Sequence, residues 1–211
     1  MDIKTIKTIW AEGELKQNTH VLEFDDFIVV VDAGCSLAQV RDVSELPIRA
    51  LLVTHGHYDH MQYIEEYDKL GISIYASEEI VEFLEDDEKN VSRWHTPTKF
   101  KLDNLITLKD GDKIELDNHI INCYHTPGHT KDSMCYILDD KYLFSGDTLF
   151  SVAVGRTDLP TGDIYVMIKS LENLMNHYFE LVYTGHGRNS SKEEQKINIP
   201  KWIERLKEMS K

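Results

Sequence analysis

The 211-residue sequence predicts an α/β protein in which two β-sheets pack together with helices outside. Three observations predict it. Short apolar runs of strand length recur along the chain, divided by Asp, Asn and Gly turn signals. The runs fall in two blocks, and helical patterns follow each, so the element order is β-rich, α, β-rich, α. The length suits one domain, residues 1–211, with a sizeable core.

The elements follow in order. "IKTIKTIW", "HVLEF" and "FIVVVDAG" are strand-like, and Asp25-Asp26 makes a hairpin turn between the last two. "RALLVT" is a short apolar run of the buried-strand kind. A helix is expected from about His60, because Met61, Ile64 and Tyr67–Leu70 recur at helical spacing. "ISIYAS" reads as a strand and "SEEIVEFLED" as a helix. The second β-rich block is "NLITL", "KIELD", "HIINCYH", "MCYILDD" and "KYLFSG", with turn signals at Asp110-Gly111, Asp117-Asn118 and Asp139-Asp140. "DIYVMIKSLENLM" carries apolar residues at Ile164, Met167, Ile168, Leu171, Leu174 and Met175, an amphipathic helix. "FELVYTG" is a strand, and "PKWIERLKEM" a closing helix.

Composition narrows the partners. A net charge of −14 argues against nucleic acid, whose binding needs a basic footprint. It leaves room for an anionic small substrate held by local cations. Three scattered cysteines, Cys35, Cys123 and Cys135, with no C-x-x-C, fit a reduced, cytoplasmic protein with free thiols. The first residues show no apolar leader, and no run approaches the roughly 18 apolar residues of a spanning helix, so no membrane partner is expected. A monomer or small homo-oligomer is expected.

"THGHYDH", residues 54–60, concentrates potential metal ligands. On a helix, residues two apart face opposite ways, so His55 and His57 would not share an ion there. In extended backbone the period is two, and His55, His57 and Asp59 share a side. A strand precedes the motif and a helix follows it, so it is a strand-to-helix loop. Asp59 also has a plain reading as helix N-cap. His60 then faces elsewhere, and two directions suggest two metal positions. Three later stretches share the design: "INCYHTPGH" ends at His129, "KYLFSGD" at Asp147 and "FELVYTGH" at His186. Each is an apolar strand, a small turn, a glycine and a ligand, and glycine permits the close backbone approach of a crowded ion site. One catalytic zinc needs three protein ligands. Seven suit two divalent ions about 3.5–4 Å apart. Asp147 is the natural bridge, because a carboxylate has two oxygens.

"THGHYDH", "TPGHT", "FSGDTLF" and "TGHG" resemble the metal motifs of the metallo-β-lactamase fold superfamily, and "SGDTLFSVAVGRTDLPTGD" resembles its single-domain, type II glyoxalase-like branch, relatives of hydroxyacylglutathione hydrolase. "GHGRNSSKEEQKINIP" resembles the tail of that branch. The resemblance implies an αββα sandwich of two mixed sheets flanked by helices. It implies a first metal on His55, His57 and His129, a second on Asp59, His60 and His186, and Asp147 bridging. The ions expected are zinc, with iron or manganese as alternatives. The reaction implied is hydrolysis of an anionic thioester, such as an S-acylated glutathione-like thiol, through a metal-bridging hydroxide, with Asp59 as both ligand and catalytic orienter. The sequence departs from the pattern in two places. Met61-Gln62 stands where glycine is usual, and "GRNSS" replaces the tyrosine typical of glutathione binding.

Rival functions share much of the motif. An iron persulfide dioxygenase uses two histidines and one aspartate on a single iron. A lactonase or β-lactamase uses similar ligands, and a nuclease of this fold fits poorly with the acid excess. A binding module with a structural metal would use a closed four-ligand site. Among other residues, Asp32 in "VDAG" reads equally as an orienting partner for a ligand histidine or as a turn residue. Arg156 in "GRTD" is a substrate-binding candidate, with a structural pair to Asp158 as the alternative. His20, His95, His119, His125 and His177 read as ordinary polar residues, Cys35 as small-residue packing before a redox role, and Trp10, Trp94 and Trp202 as core or surface packing.

Overall fold

A computed structural model of the chain describes residues 3–12 and 15–211. The chain forms two compact units, Met1–Leu108 and Lys109–Lys211. Each carries one mixed, six-stranded sheet with helices against it, the α/β class expected.

In the first unit the strands are β1 (Thr5–Trp10), β2 (Asn18–Glu23), β3 (Ile28–Val31), β4 (Ile48–Leu52), β5 (Ser73–Ser77) and β6 (Leu105–Leu108), in that order across the sheet. β1, β2 and β3 pair antiparallel, and β3 to β6 run parallel. Parallel strands are buried and read as continuous apolar runs, and "IVVV" of β3 is buried throughout. Phe24 N–H donates to Phe27 O at 2.9 Å, closing the hairpin turn over Asp25-Asp26. The helices are α1 (Leu37–Arg41), α2 (Tyr58–Met61), α3 (Ile64–Asp68) and α4 (Val81–Leu84). Met61, Ile64, Tyr67 and Ile80 pack with Val30, Leu51 and Ile74 in one apolar cluster.

Two expectations need correction here. The single helix from His60 is two short ones, since Tyr63 leaves helical geometry at φ −112°, ψ 15°. The N-cap of α2 is His57, and Asp59 lies in the first turn.

The second unit orders its strands β12 (Ser190–Ser191), β11 (Leu181–Thr184), β10 (Tyr142–Gly146), β9 (Met134–Leu138), β8 (His119–His125) and β7 (Lys113–Leu116). All pairs are antiparallel except β10 with β11. Asp139 and Asp140 both have positive φ, 52° and 50°. That is the geometry of the tight hairpin turn whose twist matches its strands. α5 (Ile164–Leu174) buries Met167, Ile168, Leu171 and Leu174 on Ile137, Leu143 and Val182. α6 (Lys192–Met209) begins well before Pro200, which lies inside the helix rather than opening it. Ser191 and Glu194 start it with a reciprocal capping box. Among the described residues no helix is long and apolar enough to cross a membrane.

Candidate metal centre

In each unit, parallel pairing sets donor loops side by side. In the first, β3 and β4 align Val31 with Leu52. Asp32 N–H still donates to Leu52 O at 2.8 Å, so Asp32 leaves the sheet beside the stretch that runs into His55. Asp32 sits at φ 64°, a left-handed conformation that aspartate tolerates better than most residues. That turn aims its carboxylate back at the neighbouring loop. Oδ1 accepts from Thr54 N at 2.7 Å. Oδ2 accepts from Thr54 Oγ1 at 2.9 Å and from His60 Nδ1 at 2.7 Å. Asp32 therefore takes the orienting role among its two readings.

Tautomers follow from this network. A carboxylate only accepts, so His60 carries its proton on Nδ1 and its lone pair on Nε2. Thr54 gives its hydroxyl proton to Asp32, so its oxygen accepts from His55 Nδ1 at 3.2 Å. His55 then presents the lone pair of Nε2. That atom lies 3.1 Å from His57 Nδ1. Two ligands of one tetrahedral zinc, each 2.0–2.1 Å from it, stand about 3.3 Å apart, so this spacing suits a shared ion as well as a shared proton. His57 is extended, at φ −71° and ψ 144°, as the period-two reading requires. His60 Nε2 lies 3.8 Å from Asp59 Oδ2. Asp32, His55, His57 and His60 are all buried.

In the second unit, β10 and β11 run parallel and pair Gly146 with Thr184 across a bulge. Gly185 N–H donates to Gly146 O at 2.9 Å, so Asp147 and His186 leave the sheet as neighbours. His186 Nε2 lies 3.5 Å from Asp147 Oδ2, and His129 Nε2 lies 3.6 Å from the same oxygen. Both gaps are long for hydrogen bonds and near the ligand-to-ligand spacing just given. His129 Nδ1 donates to Arg156 O at 2.8 Å, which leaves Nε2 for Asp147's side. Gly155 makes this packing possible. A Cβ there would run into Asp147 O and stand 2.9 Å from His129 Cγ. Gly128, at φ 136°, seats the preceding loop on the Met167 backbone of α5, where any side chain would collide.

Ligand-capable atoms gather within each unit: His55, His57, Asp59 and His60 on one loop of the first, and His129, Asp147 and His186 at the strand ends of the second. All seven candidate residues lie on these loops. The donors are imidazole and carboxylate with no thiolate. That set, with each defined tautomer turning an unprotonated nitrogen inward, fits divalent zinc or iron.

Arg156 holds Asp158 in a bidentate pair, Nε to Oδ1 and Nη2 to Oδ2, both at 2.7 Å. The Arg156 hydrogen bonds hold the Asp158 carboxyl down at about 2. Both side chains are exposed, so the pair is weak and screened. A cavity of about 260 Å³ lies beside Asp59, walled by Ala11, Leu15, Gln17, Tyr58 and His95. The three cysteines are free and buried. Burial pushes the Cys123 thiol up to about 12 and Cys135 to about 11. His119, outside the donor groups, pairs with Asp139 at 2.6 Å. Sequence reasoning missed the roles of Gln17, which lies in no motif, and of Thr54 and Gly155, which lie inside the motifs but are not ligand types.

The metallo-beta-lactamase superfamily profile matches residues 13–186. The hydroxyacylglutathione hydrolase GloC of Haemophilus influenzae is 30% identical over 181 residues, 81% of this chain and 85% of that protein. Among solved structures, the B3 metallo-beta-lactamase BLEG-1 superposes with a TM-score of 0.81 at 30% identity, over 92% of this chain and 98% of its own. TTHA1623 in a di-iron-bound form superposes with a TM-score of 0.77 at 25% identity, over 91% of this chain and 98% of its own.

Proposed function

The chain belongs to the metallo-beta-lactamase superfamily, and from that premise we propose that this metal-dependent hydrolase cleaves thioesters at a two-metal site. One observation carries the reading: His129 and His186 both approach the same oxygen of Asp147, at 3.6 and 3.5 Å. A carboxylate oxygen within reach of two histidines would suit a ligand shared by two ions. His55, His57 and His129 would hold one ion, and Asp59, His60 and His186 the other, with Asp147 shared. The donor set suits zinc, with iron as the alternative. Bound ions of this kind lower the pKa of water toward neutrality and polarise a carbonyl oxygen.

The chain's own residues supply the rest. Asp32 and Thr54 lock the His60 and His55 rings, so the site is formed before substrate arrives. Asp59, less buried than His55, His57, His60 and His129, can turn its second oxygen to a water proton and orient the attacking water. A thiolate leaves readily, so no strong general acid is needed, and no histidine outside the donor groups is required for one. The cavity at Tyr58, Leu15 and Ala11 gives an apolar wall beside Asp59, suited to the acyl or thiol arm. Arg156 becomes an anion contact if substrate carboxylates displace Asp158. The name of the Haemophilus influenzae relative supports the thioester class.

The test is release of free thiol from an S-acylglutathione by the purified chain. Chelation should stop it, and added Zn²⁺ should restore it. Oxygen uptake on a persulfide without thioester cleavage, or cleavage confined to β-lactams or lactones, would contradict the proposal.

A further inference from the structure

Gln17 lies in none of the motifs, yet it is fully buried directly behind the donor loop. Its Nε2 donates to Asn18 O at 2.5 Å and lies 3.5 Å from both Asp32 Oδ2 and His60 Nδ1. Its Oε1 accepts from Thr19 Oγ1 at 3.0 Å, and Thr19 Oγ1 in turn accepts from Cys35 N at 3.1 Å. This fixes the amide's orientation. Reversed, it would set two carbonyl oxygens against each other at Asn18 and leave the Thr19 hydroxyl facing an N–H. The remaining amide hydrogen therefore points toward the Asp32 oxygen that receives the His60 proton. Gly34 makes room for it. A Cβ at residue 34 would overlap Gln17 Oε1 and approach Asp59 O to 2.5 Å.

We propose that Gln17 is a positioning residue that acts through Asp32 to hold the His60 ring and its tautomer, with Gly34 admitting it between strand β2's entry and the donor loop. The inference rests on reading His60 as a metal ligand. An amide hydrogen is a donor that cannot leave with a proton. It keeps Asp32 Oδ2 in the acceptor role that His60 Nδ1–H requires. In a buried network, removing one donor loosens the next link. Partners one step behind a ligand commonly change metal affinity 10–100-fold.

The test uses the full chain and Zn²⁺ alone. Long-range proton–nitrogen NMR on chelator-treated protein reads the His60 tautomer, and competition with a chromophoric chelator reads each Zn²⁺ affinity. Wild type should show His60 protonated on Nδ1. Gln17→Met, similar in size but without the amide, should mix the tautomers. It should also weaken by tenfold or more the one Zn²⁺ that His186→Ala also loses, with the other unchanged. Thr19→Val, which frees Gln17 Oε1 and leaves Asp32 untouched, should shift both readouts the same way by a smaller factor. An unchanged tautomer and affinity in Gln17→Met overturns the proposal. So does equal weakening of both ions with a lowered unfolding midpoint, which marks a merely structural residue. If Gln17→Met does not fold, an unchanged tautomer in Thr19→Val overturns it. A wild type that binds two Zn²⁺ but cleaves no thioester would sink the hydrolase reading and leave this inference standing.

Discussion

Asp32 concentrates three short hydrogen bonds on one buried carboxylate, from Thr54 N, Thr54 Oγ1 and His60 Nδ1, beside the longer approach of Gln17 Nε2. Asp32→Ala leaves all three without that acceptor, at about 1–3 kcal/mol for a buried unsatisfied group. We expect a fall of about 3 kcal/mol in the metal-free protein by denaturant titration, and weaker metal binding. A loss of metal with unchanged stability would mean the network is solvated. Gly155→Ala should also lower metal affinity, because the added methyl meets both Asp147 and His129; isothermal titration with Zn²⁺ checks it. Arg156 is decided by kinetics. If it yields Asp158 to a substrate anion, Arg156→Ala raises KM for an anionic thioester far more than for a neutral one, with kcat nearly unchanged. Equal losses on both substrates would show that the bidentate pair only shapes the loop. The pair's pH behaviour follows from the depressed Asp158 carboxyl. Any stability it adds is present above the unfolded aspartate value near 4 and lost as pH falls through about 2. Removing it should leave the pH dependence of unfolding unchanged between about pH 5 and 8.

The elements show what the sequence makes legible. Strands were readable because turns punctuated them, and Asp139-Asp140 sits at the hairpin tip where both residues take positive φ. The four ligand-bearing strand ends were readable because each repeats one pattern of strand, glycine and donor. Short helices were not. α1 has five residues, too few to show a period, and declares itself only through the Ser36–Gln39 capping box. The apparent helix 61–70 carries a helical period across a break at Tyr63 that no Gly or Pro announces. Pro200 looked like a helix start because proline favours the first turn, but the Ser191–Glu194 box starts α6 earlier. Gln17 stayed invisible because its role depends on Gly34 and Asp32, which are distant in sequence. Capping has a measurable size. The Asp163 side chain accepts from Tyr165 N and Val166 N at the start of α5, the helix that backs the His129 loop. Asp163→Ala should cost about 0.5–2 kcal/mol in chemical unfolding. A change below a few tenths would show that tertiary packing alone starts α5.

At the scale of the molecule, the net charge of −14 sets the field in which an anionic substrate must arrive. Any cation that draws it in should lose effect as salt rises, because exposed charges are screened within about 10 Å at 0.1 M. The three thiols are buried, and burial holds Cys123 and Cys135 far above neutral pH. The thiolate is the reactive form, so alkylation of the native protein at neutral pH should be slow. Denaturant without reductant should release three titratable thiols, and fewer would contradict the free-cysteine assignment.

The central claim is that two ions share Asp147. Elemental analysis of the chain purified without added metal, beside Asp147→Ala, tests it most directly. The account predicts two divalent ions per wild-type chain, mainly zinc, and loss from both positions in the variant, because the shared oxygen faces His129 and His186 alike. Two ions held by Asp147→Ala at wild-type affinity, or a single iron in the wild type, would contradict it.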